Sequence, residues 1–264
     1  MIKRGMDVNK KVALVTGGAT GIGKMTLQHL AAAQCDIVFT YVTSEEKARL
    51  LCDQLQEQYG VKADCFPCDV SDLKSCERLM EKIASIHDGI DIFVHNAGPY
   101  IHERKTMTEY TLDDWNYIMN GNLNSFFYIA KHILPYMREK HWGRIITLGF
   151  DRSDTAPGWI YRSAFAAAKS GLTSLTKTLA IEEASSGITV NMVCPGDIIG
   201  QWKEVTIEAA LGEMESRVPV GRPGTGEDIA RVIAFLIEDN SSFITGSVIP
   251  VTGGLDVLGK IFRK

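Results

Sequence analysis

The stretch Val12-Ala-Leu-Val-Thr-Gly-Gly-Ala-Thr-Gly-Ile-Gly23 decides the fold. Its first residues are apolar, which predicts a short buried strand, and a helical pattern follows over residues 21–33. Glycines at positions 17, 21 and 23 allow a sharp turn and a close approach of the backbone to a ligand. The N-terminus of the following helix carries unpaired N–H groups and a partial positive charge, which suits a diphosphate. This arrangement predicts a dinucleotide site. Its expected contacts are Gly17, Ala19, Thr20, Gly21, Ile22 and Gly23.

Short apolar runs recur along the rest of the chain, with helical stretches between them. The predicted strands are residues 12–16, 37–42, 63–67, 92–95, 144–148, 189–193 and 247–251. The predicted helices are residues 21–33, 44–59, 72–86, 112–138, 163–183 and 227–237. Apolar strands that alternate with helices are typical of a parallel sheet covered on both faces. We therefore predict an α/β fold, a Rossmann-like doubly wound parallel sheet of about seven strands with helices on both faces.

Composition bounds the domain organisation and the class of partner. The 264 residues are 45% hydrophobic and 23% charged. No linker rich in Pro, Gly or Ser divides them, so we expect a single domain over residues 1–264. The irregular residues 201–223 are expected to form a lid on the substrate side. The net charge of −4 disfavours a nucleic-acid partner, and no apolar run is long enough to span a membrane.

The spacing of the cysteines and the N-terminal segment indicate whether the protein binds a metal and in which cellular compartment it is found. The six cysteines have neither the spacing of a disulfide framework nor the paired spacing of a zinc site. The basic N-terminus leads directly into the first strand without the apolar segment of a signal peptide. We therefore expect no metal site and a cytoplasmic protein.

The end of the second predicted strand should contact the adenosine half of a dinucleotide. An acidic residue there would bind a ribose 2′-hydroxyl and repel a 2′-phosphate. Residues 40–44 contain no acid, and the first one is Glu45. Hydroxyl groups and a lysine would instead bind a 2′-phosphate, which favours NADP over NAD. The expected contacts are Tyr41, Thr43, Ser44 and Lys47.

Together these features resemble the short-chain dehydrogenase/reductase family over residues 11–254. The resemblance rests on Thr16-Gly-x3-Gly-x-Gly23, Cys68-Asp-Val70, His95-Asn-Ala-Gly98, Asn122 within Gly-Asn-Leu-Asn-Ser, Gly143-Arg-Ile-Ile-Thr-Leu148, Pro195-Gly-Asp-Ile198 and Val251-Thr-Gly-Gly254. Within the family, the chain looks most similar to the 3-oxoacyl-[acyl-carrier-protein] reductases, through residues 163–180 and 219–230. The further cofactor contacts that the resemblance implies are Asp69, Val70, Asn96, Ala97, Gly98, Lys169, Pro195, Gly196 and Ile198.

The same resemblance implies which side chains carry the reaction. Family members reduce a carbonyl by hydride transfer from a nicotinamide. A tyrosine donates the proton, a serine binds the substrate oxygen, and a lysine four residues after the tyrosine holds the ribose. Lys169 matches the lysine, and Asn122 matches a helix asparagine that supports a proton-relay water. Phe150 and Phe165 stand at the serine and tyrosine positions, and a phenyl ring can neither donate a proton nor bind an oxyanion.

A displaced proton donor would repair this pattern. Tyr161 lies eight residues before Lys169 and reaches the nicotinamide only if the helix begins after it. The related enoyl reductases also place their tyrosine further upstream of the lysine. Ser153 or Asp151 would likewise replace the serine. The alternative is that Tyr161 is a half-buried aromatic residue and Ser153 caps a loop.

Three functions stay open at this point. The first is an NADPH-dependent reductase of a carbonyl, such as a 3-oxoacyl thioester, with Tyr161 as the donor. The second is an enoyl-thioester reductase. The third is a dinucleotide-binding sensor or oligomeric partner without hydride transfer. By resemblance, helix 112–138 and the small-residue helix after Phe165 are expected to pair in a homo-oligomer, a dimer or a tetramer.

Overall fold

A computed structural model describes residues 10–256 and 258. Its strands are β1 (Val12–Val15), β2 (Asp36–Tyr41), β3 (Ala63–Pro67), β4 (Ile92–His95), β5 (Gly143–Leu148), β6 (Ile188–Pro195) and β7 (Val248–Val251). They form one sheet in the order β3-β2-β1-β4-β5-β6-β7, and every neighbouring pair is parallel. The predicted fold class is confirmed, and the bounds of every predicted strand agree with the structure within two residues.

Helices cover both faces of this sheet. They are α1 (Gly21–Ala32), α2 (Glu45–Tyr59), α3 (Leu73–Ala84), α4 (Leu112–Met119), α5 (Ser125–Lys140), α6 (Ser163–Glu182), α7 (Ile207–Ala210) and α8 (Gly226–Leu236). Buried residues of α1, α2 and α8 form one core with the sheet, and those of α3, α5 and α6 form a second core on the opposite face. Successive β1 residues belong to the two cores in turn, as the alternation of side chains along a strand requires.

The order of the strands reverses between β1 and β4. The chain reaches β3 at one edge of the sheet and then returns to pair β4 with the other side of β1, where Val15 lies opposite Val94. In open α/β sheets, ligands bind in the crevice outside the carboxyl ends of the strands at such a reversal. The turns that follow β1 and β4 therefore lie side by side at this crevice.

The predicted helix over residues 112–138 runs from Leu112 to Lys140 in the structure but is not a regular α-helix throughout. A π-helical turn, Asn120–Asn124, lies between α4 and α5. Asn122 Nδ2, within this turn, donates to the carbonyl of Ile118 at 3.0 Å, and Ser125 Oγ, at the start of α5, donates to that of Gly121 at 2.8 Å. Side-chain donors that bind backbone carbonyls compete with the regular helical hydrogen bonds. Single π-helical turns are frequent at functional sites, so this turn singles out Asn122.

The segment predicted as a lid contains two short helical pieces, the 3-10 turn Gly200–Glu204 and α7. The 3-10 turn packs against α1 and α8. The role of residues 201–223 as a lid stays a prediction, as does the assignment of the whole chain to one domain. Within the described residues, no helix is both long and apolar enough to cross a bilayer.

Two adjacent leucines of α2 test the packing of the first core. Leu51 is 2% exposed, and Leu50 is 54% exposed. Leu51→Ala should lower the free energy of unfolding by about 2–5 kcal/mol, because it removes buried methyl groups and leaves a cavity. The matched variant Leu50→Ala should stay within about 0.5 kcal/mol of the wild type in the same denaturant titration. Equal losses in the two variants would contradict the burial of Leu51 against the sheet.

Candidate active site

The turn after β1 is held from both neighbouring strands. From β2, Thr40 Oγ1 accepts the N–H of Gly17 at 3.0 Å. From the end of β4, Asn96 Nδ2 donates to the carbonyls of Thr16 and Gly17 at 2.8 and 3.0 Å. The hydroxyl oxygen of Thr16 accepts the N–H groups of Asn96 and Ala97 at 3.1 and 3.0 Å. These contacts join the turns after β1 and β4 into one rigid floor.

Glycine is required at several points of this floor. Gly17 and Gly21 have φ angles of +67° and +63°, in the left-handed region that favours glycine. A Cβ atom on Gly23 would lie 2.2 Å from the carbonyl oxygen of Gly17. The first turn of α1 contains no acidic residue. This turn therefore offers a bound anion backbone N–H groups without a competing charge on α1.

A carboxylate from a distant part of the chain lies at the same turn. Glu204 Oε1 accepts the N–H of Gly21 at 2.7 Å, and Lys24 Nζ lies 3.3 Å from Glu204 Oε2. The Glu204 side chain is 39% exposed and ends the 3-10 turn that packs against α1. The start of α1 thus binds an anionic group within the protein itself, as the positive end of a helix is expected to do. The residues present fit a dinucleotide diphosphate.

The other predicted cofactor contacts lie along the same edge of the sheet, because the carboxyl ends of parallel strands coincide there. They are Tyr41, Thr43, Ser44 and Lys47 at and after β2, Asp69 and Val70 after β3, Asn96, Ala97 and Gly98 after β4, and Pro195, Gly196 and Ile198 at and after β6. Ala19, Thr20 and Ile22 complete the glycine turn. The structure brings these residues to one edge, and their binding roles stay predictions.

Asn122 lies under the turn that follows β4. It is fully buried, and its Nδ2 also donates to the carbonyl of Pro99 at 2.8 Å. A Cβ atom on Gly98 would lie 2.2 Å from Asn122 Oδ1, so only glycine fits there. In the described part of the chain, no group bonds to Asn122 Oδ1. Buried polar atoms in folded proteins nearly always have a hydrogen-bond partner, so the exception at Asn122 Oδ1 marks this residue as a candidate part of the site.

Lys169 projects from α6 into the interior. It is 4% exposed, and its Nζ donates to the carbonyl of Leu148 at 2.8 Å. Burial in apolar surroundings disfavours the ammonium form and lowers the pKa of Lys169 to about 8. The ring of Phe165, one helical turn earlier, lies 5.7 Å from Lys169 Nζ. The ammonium group of the predicted catalytic lysine therefore lies close to an aromatic ring.

Phe150, Phe165 and Trp159 form an aromatic cluster at this place. The ring centroids are 5.1 Å apart for Phe150 and Trp159, 5.9 Å for Trp159 and Phe165, and 6.3 Å for Phe150 and Phe165. On the outer side, Tyr100 meets Phe165 edge-on at 5.0 Å. The side chains of Phe150 and Phe165 contribute no hydroxyl group to this cluster.

The predicted replacements lie in different surroundings. Tyr161 has a φ of +63°, and its ring lies 6.0 Å from the guanidinium carbon of Arg104. Ser153 is 2% exposed, and its hydroxyl accepts that of Thr173 at 3.0 Å. Asp151 is 6% exposed. The catalytic role of Tyr161 stays a prediction, as does replacement of the serine by Ser153 or Asp151.

Two polar residues of the site were missed by reasoning from the sequence. Glu204 lies in the predicted lid, and its partner Gly21 is 183 positions away. Arg162 donates to the hydroxyl of Tyr100 and to the carbonyl of Glu103, 62 and 59 positions away. No local pattern indicates such pairs, because each depends on the packing of remote segments.

Lys169→Met tests the burial of the ammonium group. Between pH 8 and 10.5, the folded wild type binds fewer protons at Lys169 than the unfolded chain does. The free energy of unfolding of the wild type therefore increases as the pH rises through this interval. The variant lacks this gain. Across that interval, the free energy of unfolding of the variant should therefore fall behind that of the wild type by on the order of 3 kcal/mol. Denaturant titrations at several pH values measure this difference. Lys177→Met, at an exposed position of α6, should show no such trend. Parallel behaviour of both variants would contradict the burial of Lys169.

Comparison with known proteins places the whole fold in one family. The family model described as Enoyl-(Acyl carrier protein) reductase matches residues 17–256. YtkK of Bacillus subtilis is 47% identical over 253 residues, which cover 94% of this chain and 97% of YtkK. The 3-oxoacyl-[acyl-carrier-protein] reductase FabG of Escherichia coli is 36% identical over 250 residues, 95% of this chain and 99% of FabG.

Solved structures agree with this result. A Bacillus thuringiensis protein described as a 3-oxoacyl-reductase superposes with a TM-score of 0.85 and 44% identity, covering 94% of this chain and 99% of its own. A blue fluorescent protein from a metagenomic library, crystallised with NADPH, superposes with a TM-score of 0.82 and 31% identity, covering 95% and 100% of the two chains. With the glycine turn, the reversal of strand order and Lys169 in α6, these matches show that the chain is an oxidoreductase of the short-chain dehydrogenase/reductase family.

Proposed function

We propose that the protein is an NADPH-dependent reductase of a carbonyl group, with 3-oxoacyl thioesters as the substrate class. The observation that carries the proposal is the anionic contact at the start of α1. There Glu204 accepts the N–H of Gly21 at 2.7 Å. A dinucleotide diphosphate has the same charge sign and the same acceptor chemistry as this carboxylate. The FabG relatives and the NADPH-bound neighbour support the choice of substrate and cofactor.

The preference for NADPH over NADH rests on the segment after β2. Thr43 and Lys47 are exposed and Ser44 is half-buried, so a 2′-phosphate would find hydroxyl groups and an ammonium group there. The nearby carboxylate of Glu45 is paired with Arg49 at 2.7 Å. This pairing balances the charge that would otherwise repel the phosphate.

The side chains of the chain divide the remaining work. A bound NADPH would supply the hydride. Lys169 would hold the nicotinamide ribose from below, and the turn with Asn96 and Gly98 would form the floor of the nicotinamide pocket. As the resemblance implies, Asn122 would support a water that relays protons. The aromatic rings of Phe150 and Phe165 would exclude bulk water from the reacting carbonyl.

Three further features belong to this proposal. Residues 201–223 would close over the substrate as a lid of the single domain. A homo-oligomer would form through α5 and α6, where Phe127 and Ile181 are 56% and 81% exposed in the isolated chain. The six cysteines are free thiols, which supports a cytoplasmic, reducing compartment.

The aromatic cluster favours a second candidate function. Phe150 is 5% exposed and packs with Trp159 and Phe165. Rings in this position provide no donor for an alkoxide that forms on hydride transfer. A dinucleotide-binding protein without hydride transfer would have the same glycine turn and the same Lys169. Enoyl thioesters stay the other alternative substrate, because reduction of a C=C bond depends less on a serine.

Glu204→Gln tests the anion site. The amide keeps an oxygen for Gly21 but removes the charge, so NADPH should bind more tightly, by roughly fivefold or about 1 kcal/mol, at low salt. The gain should shrink as salt screens the charge. Calorimetric titration with NADPH measures both effects. Glu208→Gln, an exposed position of α7, is the matched control and should bind like the wild type. Weaker or unchanged binding by Glu204→Gln would count against a diphosphate at this turn.

Turnover of a substrate panel tests the reaction. The wild type should oxidise NADPH with 3-oxoacyl thioesters, and more slowly with enoyl thioesters. With NADH, kcat/KM should be at least about tenfold lower, since loss of the 2′-phosphate contacts costs about 1.4 kcal/mol. Tight NADPH binding with no oxidation over a broad carbonyl panel would favour the binding protein instead.

A further inference from the structure

Phe150 and Phe165 carry no hydroxyl group that could act as a proton donor, and one phenol lies directly against Phe165. The ring of Tyr100 meets that of Phe165 at a centroid distance of 5.0 Å and an interplanar angle of 85°. Phe165 in turn lies 5.7 Å from Lys169 Nζ. Tyr100, two residues after Gly98, and the predicted catalytic lysine therefore approach the same aromatic ring.

Arg162 holds the phenol hydroxyl in place. Its Nε donates to the hydroxyl oxygen of Tyr100, and its guanidinium carbon lies 4.9 Å from the Tyr100 ring centroid. The two terminal nitrogens are also engaged, Nη1 with the carbonyls of Glu103 at 2.7 Å and Tyr161 at 2.9 Å, and Nη2 with that of His102 at 3.1 Å. Arg162 therefore fixes residues 100–103 against the start of α6.

This geometry determines where the phenol proton can go. A guanidinium group has five N–H donors and no acceptor, so it cannot accept the proton of Tyr100. The hydroxyl oxygen accepts from Arg162 and keeps its own O–H for a third group. The segment is also anchored from below, where Asn122 Nδ2 donates to the carbonyl of Pro99 at 2.8 Å.

We propose that Tyr100 is the proton donor to the substrate carbonyl oxygen and that Arg162 is its positioning residue. This inference rests on the proposed function. As the hydride adds to the carbonyl carbon, the C=O π bond breaks and its electron pair moves to oxygen. That oxygen forms a bond to the phenol proton, and the electron pair of the broken O–H bond stays on Tyr100. The N–H of Arg162 stabilises this charge, and a proton from water restores the phenol.

Tyr161 is less well placed for this role. Tyr161 lies just before the start of α6, but its ring faces Arg104. Its backbone carbonyl accepts hydrogen bonds from the hydroxyl of Tyr110 at 3.3 Å and from Arg162. Those contacts use the Tyr161 backbone to support the segment on which Tyr100 lies. Tyr100 contacts Phe165 itself, the residue that the resemblance assigns to the position of the family tyrosine.

Tyr100→Phe tests the donor, because it removes one hydroxyl group and keeps the ring that packs on Phe165. With a 3-oxoacyl thioester and NADPH, kcat should fall by about 10²- to 10⁴-fold, the usual contribution of a positioned acid. KM and the Kd for NADPH should stay within about twofold, since ground-state contacts are retained. Tyr117→Phe, an exposed phenol of α4, is the inert control. The loss in Tyr100→Phe should also exceed that in Tyr161→Phe by at least about tenfold.

The possible results distinguish failure of the proposed reaction from failure of the donor role. A wild type that binds NADPH but reduces no carbonyl would overturn the proposed reaction and the donor role together. An active wild type with an undiminished kcat in Tyr100→Phe would overturn the donor role alone. A large loss in Tyr161→Phe with an active Tyr100→Phe would return the role to the residue predicted from the sequence.

Discussion

The parallel pairing of β1 with β4 is the constraint on which the rest of the structure depends. It places two turns side by side, and Asn96 and Thr16 tie them together with hydrogen bonds of 2.8–3.1 Å. Both strands are buried on both faces, so neither can move without disturbing a core. The absence of a Cβ atom at Gly23 and Gly98 allows the final approach of the backbone to its neighbours. The site is therefore a consequence of strand order.

The surroundings of Lys169 lower the stability of the fold but hold the ammonium group in one position. A buried ammonium group loses hydration. Among the described residues, what replaces it is the hydrogen bond that Lys169 Nζ donates to the carbonyl of Leu148 and the weak attraction of an aromatic face. An apolar side chain would avoid that cost. A group held in this way has little freedom to reorient, which suits the ribose-binding role proposed for Lys169.

Two long-range polar contacts organise the mouth of the cleft. Glu204 connects the segment predicted as a lid to the start of α1, so binding of a diphosphate would release that segment as well. Arg162 joins the segment after Gly98 to the start of α6. In the proposed reaction, the first contact opposes entry of the cofactor, and the second aligns a phenol with the reacting carbonyl. The two effects act on different steps, binding and proton transfer.

The sequence alone determined the sheet, its helices on both faces and the glycine turn, because each is encoded by short-range periodicity or by a local motif. The burial of Lys169 emerged only from the tertiary structure. The resemblance also implies that Phe150 and Phe165 stand at the family's serine and tyrosine positions, and this stays a prediction. The π-helical turn escaped prediction, because the side chain of Asn122 competes with a backbone that is otherwise helical. The partners of Glu204 and Arg162 were decided only by the tertiary structure. They lie 183 and about 60 positions away, and no local propensity specifies which remote segments pack together.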